Sequence, residues 1–414
     1  MKRARQSPPD AEPIEEHDSG FVGPMTLFDT FPHNDTFVET RTLELLPNPS
    51  TENAEIYTFM HNRQDYGVID MIDAKLSANL RVAVTVGGAA PAADRNVSVN
   101  MAPLRYGWKT KAVYLNNQLI TPQSSKENEL EFTHDFLTTV PSEYLDDKNI
   151  NLMIRDTPGQ MDVVTNLHHN TNATGNTNLG ARERFVKINQ AAVFRCIDKL
   201  DVLGRVKRYV PTSFDIKVVL TRLEKNKVLY GTAAQCAVVE LKMADLKLVM
   251  PILKPNAQLS AAINDLMIQK GEECRYYKIT HRYVAIPVPI NSRHIQHKDI
   301  FNGARPTRLV TKIISQARYN EAYINLRQSL DRRHSEMPCT YDEYLSDFGM
   351  IVTDLSPNRD GFSQVLPNST SGNLGVKIDF AQDTTAAQQL ICIGEFRNQM
   401  SVGFGTQARL KYAA

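Results

Sequence analysis

Histidine is the residue type that comes nearest to forming a metal site in this chain. His168 and His169 are adjacent, and His281, His294 and His297 lie in the last third of the sequence. Metal ligands on a strand are expected two positions apart and ligands on a helix four apart, and none of these histidines has such a partner. The sequence therefore predicts surface histidines and assigns no metal ligand.

Candidates for catalysis are equally sparse. The segment from Asp156 to Gly159 fits the DxxG element of nucleotide hydrolases, but no GxxxxGK[ST] loop is present to hold phosphates, so Pro158 and Gly159 indicate a turn. The motifs GxSxG, HExxH and GxGxxG do not occur. Paired carboxylates stand in polar stretches typical of solvated faces: Glu15 and Glu16, Asp146 and Asp147, Asp342 and Glu343. No catalytic residue, cofactor-binding residue or cofactor is predicted.

Basic and aromatic residues are interleaved at Arg275–Lys278 and again at Arg282 and Tyr283. Stacking on nucleic acid needs this mixture, but a strand with one polar face produces it by alternation, and we favour the strand. The net charge of +1, from 47 Lys and Arg against 46 Asp and Glu, argues against attraction of the whole molecule to nucleic acid. Four sequons are interpreted as chance matches because no secretory signal precedes them: Asn34, Asn96, Asn172 and Asn368.

The cysteines indicate reduced thiols and an intracellular folding environment. Cys196, Cys236, Cys274, Cys339 and Cys392 are far apart, odd in number and never in a CxxC pair, which argues against a disulfide framework and against a zinc finger. No apolar run approaches the roughly 18 residues that a membrane span needs.

The chain is predicted to contain a tail and two domains. Residues 1–24 are charged, rich in proline and poor in large apolar residues, which predicts a flexible tail. Residues 25–255 and 272–414 contain short alternating segments separated by turn residues, as expected of β-domains. Between them, residues 256–271 have an apolar stripe at helical spacing closed by Gly271, which predicts a helical linker.

Several local features are predicted within these domains. Asn116 and Asn117 tolerate positive φ and are expected to turn a hairpin, and residues 127–140 are expected to form a short helix. Residues 162–182 are rich in Asn, Thr and Gly and are interpreted as a long exposed loop, after which strands resume at Phe185. Thr340, with Glu343 three residues later, marks a helix start.

One β-rich pattern occurs twice. From Phe194 the chain contains FRCIDKLDVLGR, FDIKVVLTRL and CAVVELKM, and from Phe348 it contains FGMIVTDLSP, NLGVKIDFAQ and LICIGEF. Each copy has strands separated by loops. The repeat and the scarcity of helical patterns predict an all-β fold of two sandwiches or jelly rolls, not a parallel α/β sheet.

These segments together resemble the double jelly-roll major capsid proteins of double-stranded DNA viruses, in the branch of Polinton-like viruses, adintoviruses and virophages within the adenovirus hexon lineage. Four stretches carry the resemblance in the order of the family: LNNQLI with RDTPGQMD, IDKLDVLGRV with VPTSFDIKVVLTR, IFNGARPTRLVTKIISQARYNEAY, and IVTDLSP with SGNLGVKIDFAQ and LICIGEF. They span most of residues 110–396. The segment between Tyr323 and Asp354 is shorter than the usual insertion in the second domain.

The resemblance implies two tandem eight-stranded jelly rolls and a structural role without enzymatic activity. Homotrimers would act as pseudo-hexameric capsomers that tile an icosahedral shell, in contact with neighbouring capsomers and with penton and minor capsid proteins, and with no specific small-molecule ligand. The loop at 162–182 would project outward or clasp a neighbour, and the N-terminal tail could contact the genome or an internal membrane. The implied location is the virion, assembled inside the host cell.

Two alternative functions stay open at this point. A carbohydrate-binding jelly-roll module would need an aromatic platform or a calcium-binding acidic loop, whereas the chain has a single tryptophan, Trp108. An uncharacterised β-sandwich enzyme would need a cleft whose titratable groups have shifted pKa values.

Overall fold

A computed structural model gives the architecture of the chain. It describes residues 36–64, 67–84, 97–121, 124–140, 142, 147, 149–167, 175–190, 193–200, 209–312, 319–330, 337–346, 350–356, 372–380, 382–403 and 409–411. The predicted tail and all four sequons lie outside these residues. Phe37–Ala414 make up one compact unit.

Antiparallel β-strands dominate the described residues, with 42% strand and 22% helix, which confirms the predicted all-β class. The strands are β1 Phe37–Leu45, β2 Ile56–His61, β3 Val68–Ile69, β4 Lys75–Val84, β5 Ser98–Val99, β6 Trp108–Leu115, β7 Gln118–Leu119, β8 Phe194–Lys199, β9 Val210–Pro211, β10 Ile216–Arg222, β11 Leu229–Tyr230, β12 Val239–Pro255, β13 Cys274–Val288, β14 His294–His297, β15 Arg308–Lys312, β16 Met350–Asp354, β17 Val376–Asp379, β18 Gln388–Val402 and β19 Arg409–Lys411.

The first half of the fold, residues 36–255, is a sandwich of two sheets. Sheet 1 has the order β8-β4-β12-β3-β9, and β1 pairs with β12; sheet 2 has the order β2-β10-β6-β7. Side chains alternate between buried and partly exposed along β4 and β12, because one face of each strand points into the sandwich. The buried faces of the two sheets meet in one core around Phe59, Leu80, Val218 and Met250.

The second half, residues 272–411, repeats part of this arrangement. Sheet 3 has the order β13-β18-β15-β16, with β19 also on β18, and sheet 4 contains β14 and β17. Its longest strand pair, β13 with β18, is in register from Cys274 with Val402 to Val288 with Gln388. In the middle of β18, Ile393 and Phe396 are buried on opposite faces, so sheet 3 is covered on both sides.

Helices fill the spaces between and beside the sheets. They include α1 Pro103–Tyr106, α2 Glu127–Thr138, α3 Leu179–Gln190, α4 Lys225–Val228, α5 Ala233–Ala237, α6 Ala257–Asn264 with a π-helical continuation Asp265–Gln269, α7 Tyr319–Ser329 and α8 Tyr341–Ser346. The helices predicted at 127–140 and 256–271 are thus confirmed, and so is the start at Thr340. No helix among the described residues has the length and apolar character to cross a membrane. The division into domains at 25–255 and 272–414 stays a prediction.

The expectation that strands resume at Phe185 is wrong, because Leu179–Gln190 form α3. The Asn178 side chain accepts a hydrogen bond from the Ala181 backbone N–H (3.2 Å) and so satisfies a free donor in the first turn. Arg184, one and a half turns later, is fully buried and donates to Asp156 at 2.6 Å. These tertiary bonds outweigh the β-branched composition that suggested a strand.

The expectation of a continuous exposed loop over 162–182 is also wrong in part. Residues 168–174 lie outside the described residues, but the segments on either side are buried at Leu167, Asn176 and Asn178. The Asn176 amide donates to the Thr165 carbonyl at 2.7 Å, and the Asn178 amide donates to Asp156 at 2.9 Å. Both ends of the segment are therefore fixed to the first half.

Candidate functional site

The DxxG segment is a structural turn. Gly159 has φ +69°, which confirms the predicted turn. Asp156 accepts hydrogen bonds from Arg184 and from Asn178, so its carboxylate is committed to holding α3 against the preceding loop. Its neighbour Thr157 donates its backbone N–H to Asn178 and accepts from Leu179 N–H at 2.9 Å.

Three of the basic and aromatic residues of β13 pack against other side chains, while Arg275 is exposed. Tyr276 is 2% exposed and belongs to the core of the first half. The Arg282 guanidinium lies 4.5 Å from the centre of the Phe396 ring, and the Lys126 ammonium lies 5.8 Å from that of Tyr283. The preference for a strand over a stacking surface is therefore confirmed by β13.

Trp108 is also a core residue. It is fully buried, its indole N–H donates to the Leu104 carbonyl at 2.6 Å, and its ring meets Tyr57 edge to face with centroids 6.1 Å apart. An aromatic platform for a sugar has to be exposed, so Trp108 cannot provide one.

The paired carboxylates have separate positions. Glu15, Glu16 and Asp146 lie outside the described residues, while Asp147 is 3.9 Å from Arg105. Glu343 accepts from the Thr340 backbone N–H at 2.7 Å, and its own N–H donates to the Thr340 hydroxyl at 3.2 Å. This reciprocal pair is a capping box at the start of α8.

The histidine prediction is confirmed for two residues and wrong for a third. His294 and His297 are exposed on β14, and His168 and His169 lie outside the described residues. His281 is 7% exposed in the middle of β13, where the strand crosses under α2. Strand alternation places its side chain on the covered face of sheet 3, which the sequence spacing did not reveal.

A polar row crosses sheet 3 at His281. Glu395 of β18 is paired in register with His281 of β13 on one side and with Arg308 of β15 on the other. Directly opposed residues point to the same face of a sheet, so the three side chains form a line across it. Arg308 donates to Glu395 at 2.5 Å, and His281 Nε2 lies 3.7 Å from the same carboxylate.

Electrostatics keep Glu395 ionised in this buried row. Burial alone would favour the neutral acid, but the charge of Arg308 and the contact with His281 outweigh it and hold the pKa of Glu395 well below its usual range. An ion pair removed from water in this way needs both partners, because loss of one leaves an uncompensated buried charge.

Helix α2 covers the row and joins the halves. His134 stacks edge-on against His281 with ring centroids 5.1 Å apart, and Thr133 accepts a hydrogen bond from Lys312 of β15 at 2.7 Å. From the same helix, Glu131 forms a fully buried ion pair with Lys111 of β6. Helix α2 therefore makes polar contacts with sheet 2 and with sheet 3.

A second buried charge cluster anchors α2 to the first half. Arg105, next to the end of α1, donates to Asp198 of β8 and to Asp135 of α2. Burial acts against the cation, but Asp198 and Asp135 outweigh it and raise the pKa of Arg105 above its ordinary value.

Apolar side chains are exposed along one edge of the first half. β2 is the outer strand of sheet 2, and Ile56 and Met60 on it are 47% and 58% exposed. Asn48 bridges to Thr58 between them with hydrogen bonds of 2.8 and 3.0 Å, which brings Leu46, 68% exposed, alongside. We call Leu46, Ile56 and Met60 the β2 edge patch.

Comparison with known proteins identifies the architecture. No protein-family model and no curated protein sequence matches the chain. Among solved structures, that of the Sputnik virophage determined by cryo-EM superposes with a TM-score of 0.59 at 9% identity, over 100% of this chain and 94% of that one. The mavirus major capsid protein gives 0.50 at 8% over 99% and 97%, and the PBCV-1 virus capsid gives 0.52 at 9% over 94% and 100%.

The chain has the double jelly-roll fold. The predicted class is confirmed, and the superposition runs through both rolls since 94–100% of the chain is covered. The sequence identity to these structures is only 8–9%, so the similarity is one of fold.

The polar row and the role of α2 were missed by sequence reasoning. His134, His281 and Glu395 are 147 and 114 residues apart, as their numbers give, so spacing carries no sign that they meet. One signal was present: Glu395 is a lone charge in the apolar run LICIGEF, and a charge in a buried strand needs a partner.

Proposed function

We propose that the protein is a major capsid protein whose homotrimers act as pseudo-hexameric capsomers in an icosahedral viral shell. The observation that carries the proposal is the superposition of the whole chain, through both jelly rolls, on structures of virus capsids. The location that follows is the virion, after assembly inside a host cell.

The arrangement of the two rolls supports this role. Tyr276 and Met400, on β13 and β18 of the second half, are buried in the core of the first half. Because they share this core, the rolls keep a fixed relation, and a ring of three chains would present six similar sides to a hexagonal lattice. A ring of this kind uses heterologous contacts that close on themselves, and obligate contacts of this type bury well over roughly 2,000 Å² with an apolar centre.

The β2 edge patch is a candidate for one of these contacts. Exposed apolar side chains grouped at a sheet edge are typical of surfaces that another protein covers. We therefore assign Leu46, Ile56 and Met60 to a contact with a second copy of the chain. Neighbouring capsomers, penton and minor capsid proteins are the further partners that a shell tile requires, and the tail could reach a genome or an internal membrane.

Size-exclusion chromatography with light scattering tests the proposal. We expect a stable species near three times 46.6 kDa, with a hexagonal outline in electron micrographs. A strict monomer at micromolar concentration, with no assembly under any ionic condition, would contradict it.

A charged double variant tests the β2 edge patch separately. Ile56→Glu with Met60→Glu should lower the trimer fraction by at least tenfold, while Trp108 fluorescence stays native because exposed substitutions change stability by roughly 0.5 kcal/mol or less. Ile290→Glu, at a residue 54% exposed in the second half, is the matched control. An unchanged trimer in the double variant would remove the patch from the contact without affecting the shell role.

The alternative functions lack comparable support. The buried Trp108 offers no platform to a carbohydrate. A shell tile requires contact surfaces and no active site, and the polar row under α2 has the ion pair of a structural cluster.

A further inference from the structure

One group of potential metal ligands is assembled under α2. Among the residues that the structure describes, His134, His281 and Glu395 are the one set of three or more such side chains whose ligand atoms all lie within 4.8 Å of one another. His281 and Glu395 are buried and His134 is half-buried, so the cluster lies between sheet 3 and a partly exposed face of α2.

Two polar atoms in this cluster have unmet bonding capacity. His281 Nδ1 and Glu395 Oε1 are buried and have no hydrogen-bond partner among the described residues. Leaving a buried polar atom without a partner costs about 1–3 kcal/mol, more for a charged group. The ion pair with Arg308 uses the other carboxylate oxygen, Oε2, so Oε1 remains available to coordinate a cation.

We propose that His134, His281 and Glu395 bind a divalent transition-metal ion of the Zn²⁺ type. Two imidazoles and one carboxylate form a set that Zn²⁺ takes with three protein ligands and one water. Hard cations are disfavoured because Ca²⁺ and Mg²⁺ need six or more oxygen ligands, and this set supplies one carboxylate. The inference does not depend on a capsid role.

To bind the ion, the three ligand atoms must move slightly closer together. Ligand atoms in a tetrahedral Zn²⁺ site are about 3.4 Å apart, given metal–ligand bonds of about 2.0–2.2 Å, against the 4.8 Å limit seen here. His134 is the least buried of the three residues, so the proposal places this movement in its side chain. Arg308 then acts as an outer partner that orients the Glu395 carboxylate, although its charge lowers the affinity.

The bound ion would link distant parts of the chain. His134 belongs to α2, before the linker helix α6, whereas His281 and Glu395 lie on β13 and β18, the two longest strands of sheet 3. A metal held by all three residues therefore cross-links the first and second halves at their junction.

Binding is tested on the full-length protein after removal of metal with a chelator. Titration with Zn²⁺ should show one saturable site per chain at micromolar concentration and raise the thermal midpoint, whereas Mg²⁺ and Ca²⁺ should leave it unchanged. Co²⁺ should give the strong visible absorption of a four-coordinate site with nitrogen and oxygen ligands, a signature that weakly held surface ions do not produce.

His134→Gln is the decisive variant, because His134 is half-buried on a helix surface and glutamine is tolerated there. Its Zn²⁺ affinity should fall by more than the roughly 10–100-fold that loss of an outer partner costs. His294→Gln and His297→Gln, at the exposed histidines of β14, should bind as the unchanged chain does. The proposal is overturned if no saturable site exists, if His134→Gln binds normally, or if binding is lost in the β14 variants instead. Should His134→Gln fail to fold, the Co²⁺ spectrum of the unchanged protein decides alone.

Discussion

Sheet 1 of the first half and sheet 3 of the second half share one strand order. They differ in the elements that pack on their faces. In the first half β1, β12, β4 and β8 follow one another across sheet 1, and in the second half β13, β18, β15 and β16 do so across sheet 3. The middle segment of each repeated pattern, β10 or β17, lies in the facing sheet. The duplication expected from sequence is thus present as a repeated topology.

Covering of the sheets differs between the halves. Sheet 2, which faces sheet 1, contains four strands, whereas sheet 4 contains two among the described residues. The other face of sheet 3 packs on helices: Leu130 and Phe136 of α2, Leu326 of α7 and Tyr344 of α8. Because α2 belongs to the first half of the sequence, the second half completes its core with a borrowed helix.

This difference shows that the halves have similar topologies, but that the second half depends on a helix of the first half to complete its core. Each half contributes to a core centred in the other, with Met400 entering the first and Leu130 the second. The following predictions test this reciprocity through probes specific to each half. Trp108, the single tryptophan, reports the first half, and Cys339 and Cys392 report the second.

Met400→Ala has the largest expected effect. The side chain lies on β18 of the second half but is fully buried in the first core. Its truncation should lower the free energy of unfolding by about 2–5 kcal/mol, as for other buried methionines. Urea unfolding followed by Trp108 fluorescence measures this loss, and Ile290→Ala, at an exposed residue outside the β2 edge patch, serves as the control. An unshifted Trp108 transition would mean that the halves have separate cores.

Two glycine variants compare the packing of the halves. A Cβ at Gly180 would lie 1.8 Å from the Arg155 carbonyl oxygen, which is backbone, whereas at Gly394 it would meet the Phe301 ring at 2.7 Å. A ring can shift and a carbonyl in a fixed loop cannot. We expect Gly180→Ala to cost more than the about 1–3 kcal/mol typical of overpacking, and Gly394→Ala to fall within it.

Gly372→Ala is the control for this pair, since nothing lies within 4 Å of the added carbon. In thermal melts, the decrease in the unfolding midpoint should be largest for Gly180→Ala, smaller for Gly394→Ala and smallest for Gly372→Ala. A larger loss for Gly394 would show that the second half is the more rigidly packed of the two.

Acid should weaken the first half through His61. Burial is the main cause that lowers the pKa of this histidine below its usual 6.5, although the Thr212 carbonyl and Asp215 act in the opposite direction. The unfolded chain then binds the proton more readily than the folded chain. Stability should be constant above pH 6.5 and fall as the pH decreases below it.

Urea midpoints from Trp108 fluorescence at several pH values measure this effect. His61→Gln should flatten the decline, while His297→Gln, at an exposed position, should retain it. Stability that rises on acidification between pH 6.5 and 5 would show that the sign is wrong.

Local patterns predicted most of the elements because local energetics determine them. Asn116 and Asn117 have φ of 46° and 64° at the hairpin turn, as expected from their tolerance of the left-handed region. The helix α6 is capped by Asn256, whose side chain accepts from Leu259 N–H at 2.8 Å. Such signals lie within a few residues of one another and can be read from the sequence.

Long-range contacts account for what sequence reasoning missed. The strand expected at Phe185 is a helix because Arg184 is held by Asp156, 28 residues earlier. His281 was expected at the surface, but the covering element, α2, comes from a distant part of the chain. The candidate metal cluster depends on the same packing, so no spacing rule could have assembled it.

Helix caps give the smallest expected difference between the halves. Thr232 begins α5 with Gln235 three residues later, and Thr340 begins α8 with Glu343. The Gln235 N–H reaches the Thr232 hydroxyl at 3.4 Å. The Glu343 N–H reaches the Thr340 hydroxyl at 3.2 Å, and that hydroxyl also donates to the Glu343 carboxylate at 3.2 Å. Hydrogen bonds to an ionised acceptor are the stronger kind, so the second cap should contribute more.

Thr340→Ala should therefore cost about 1 kcal/mol and Thr232→Ala about half of that. Each cap has a thiol beside it: burial raises the pKa of Cys339 to about 12, and burial also raises the pKa of Cys236. Both thiols should thus react with an alkylating reagent at pH 8 only when the local structure opens. Alkylation of Cys339 should accelerate about fivefold in Thr340→Ala, and that of Cys236 by less in Thr232→Ala. Equal acceleration of alkylation at Cys339 and Cys236 would contradict this prediction. The two caps would then contribute equal stability, and the ionised acceptor would give the cap of the second half no advantage.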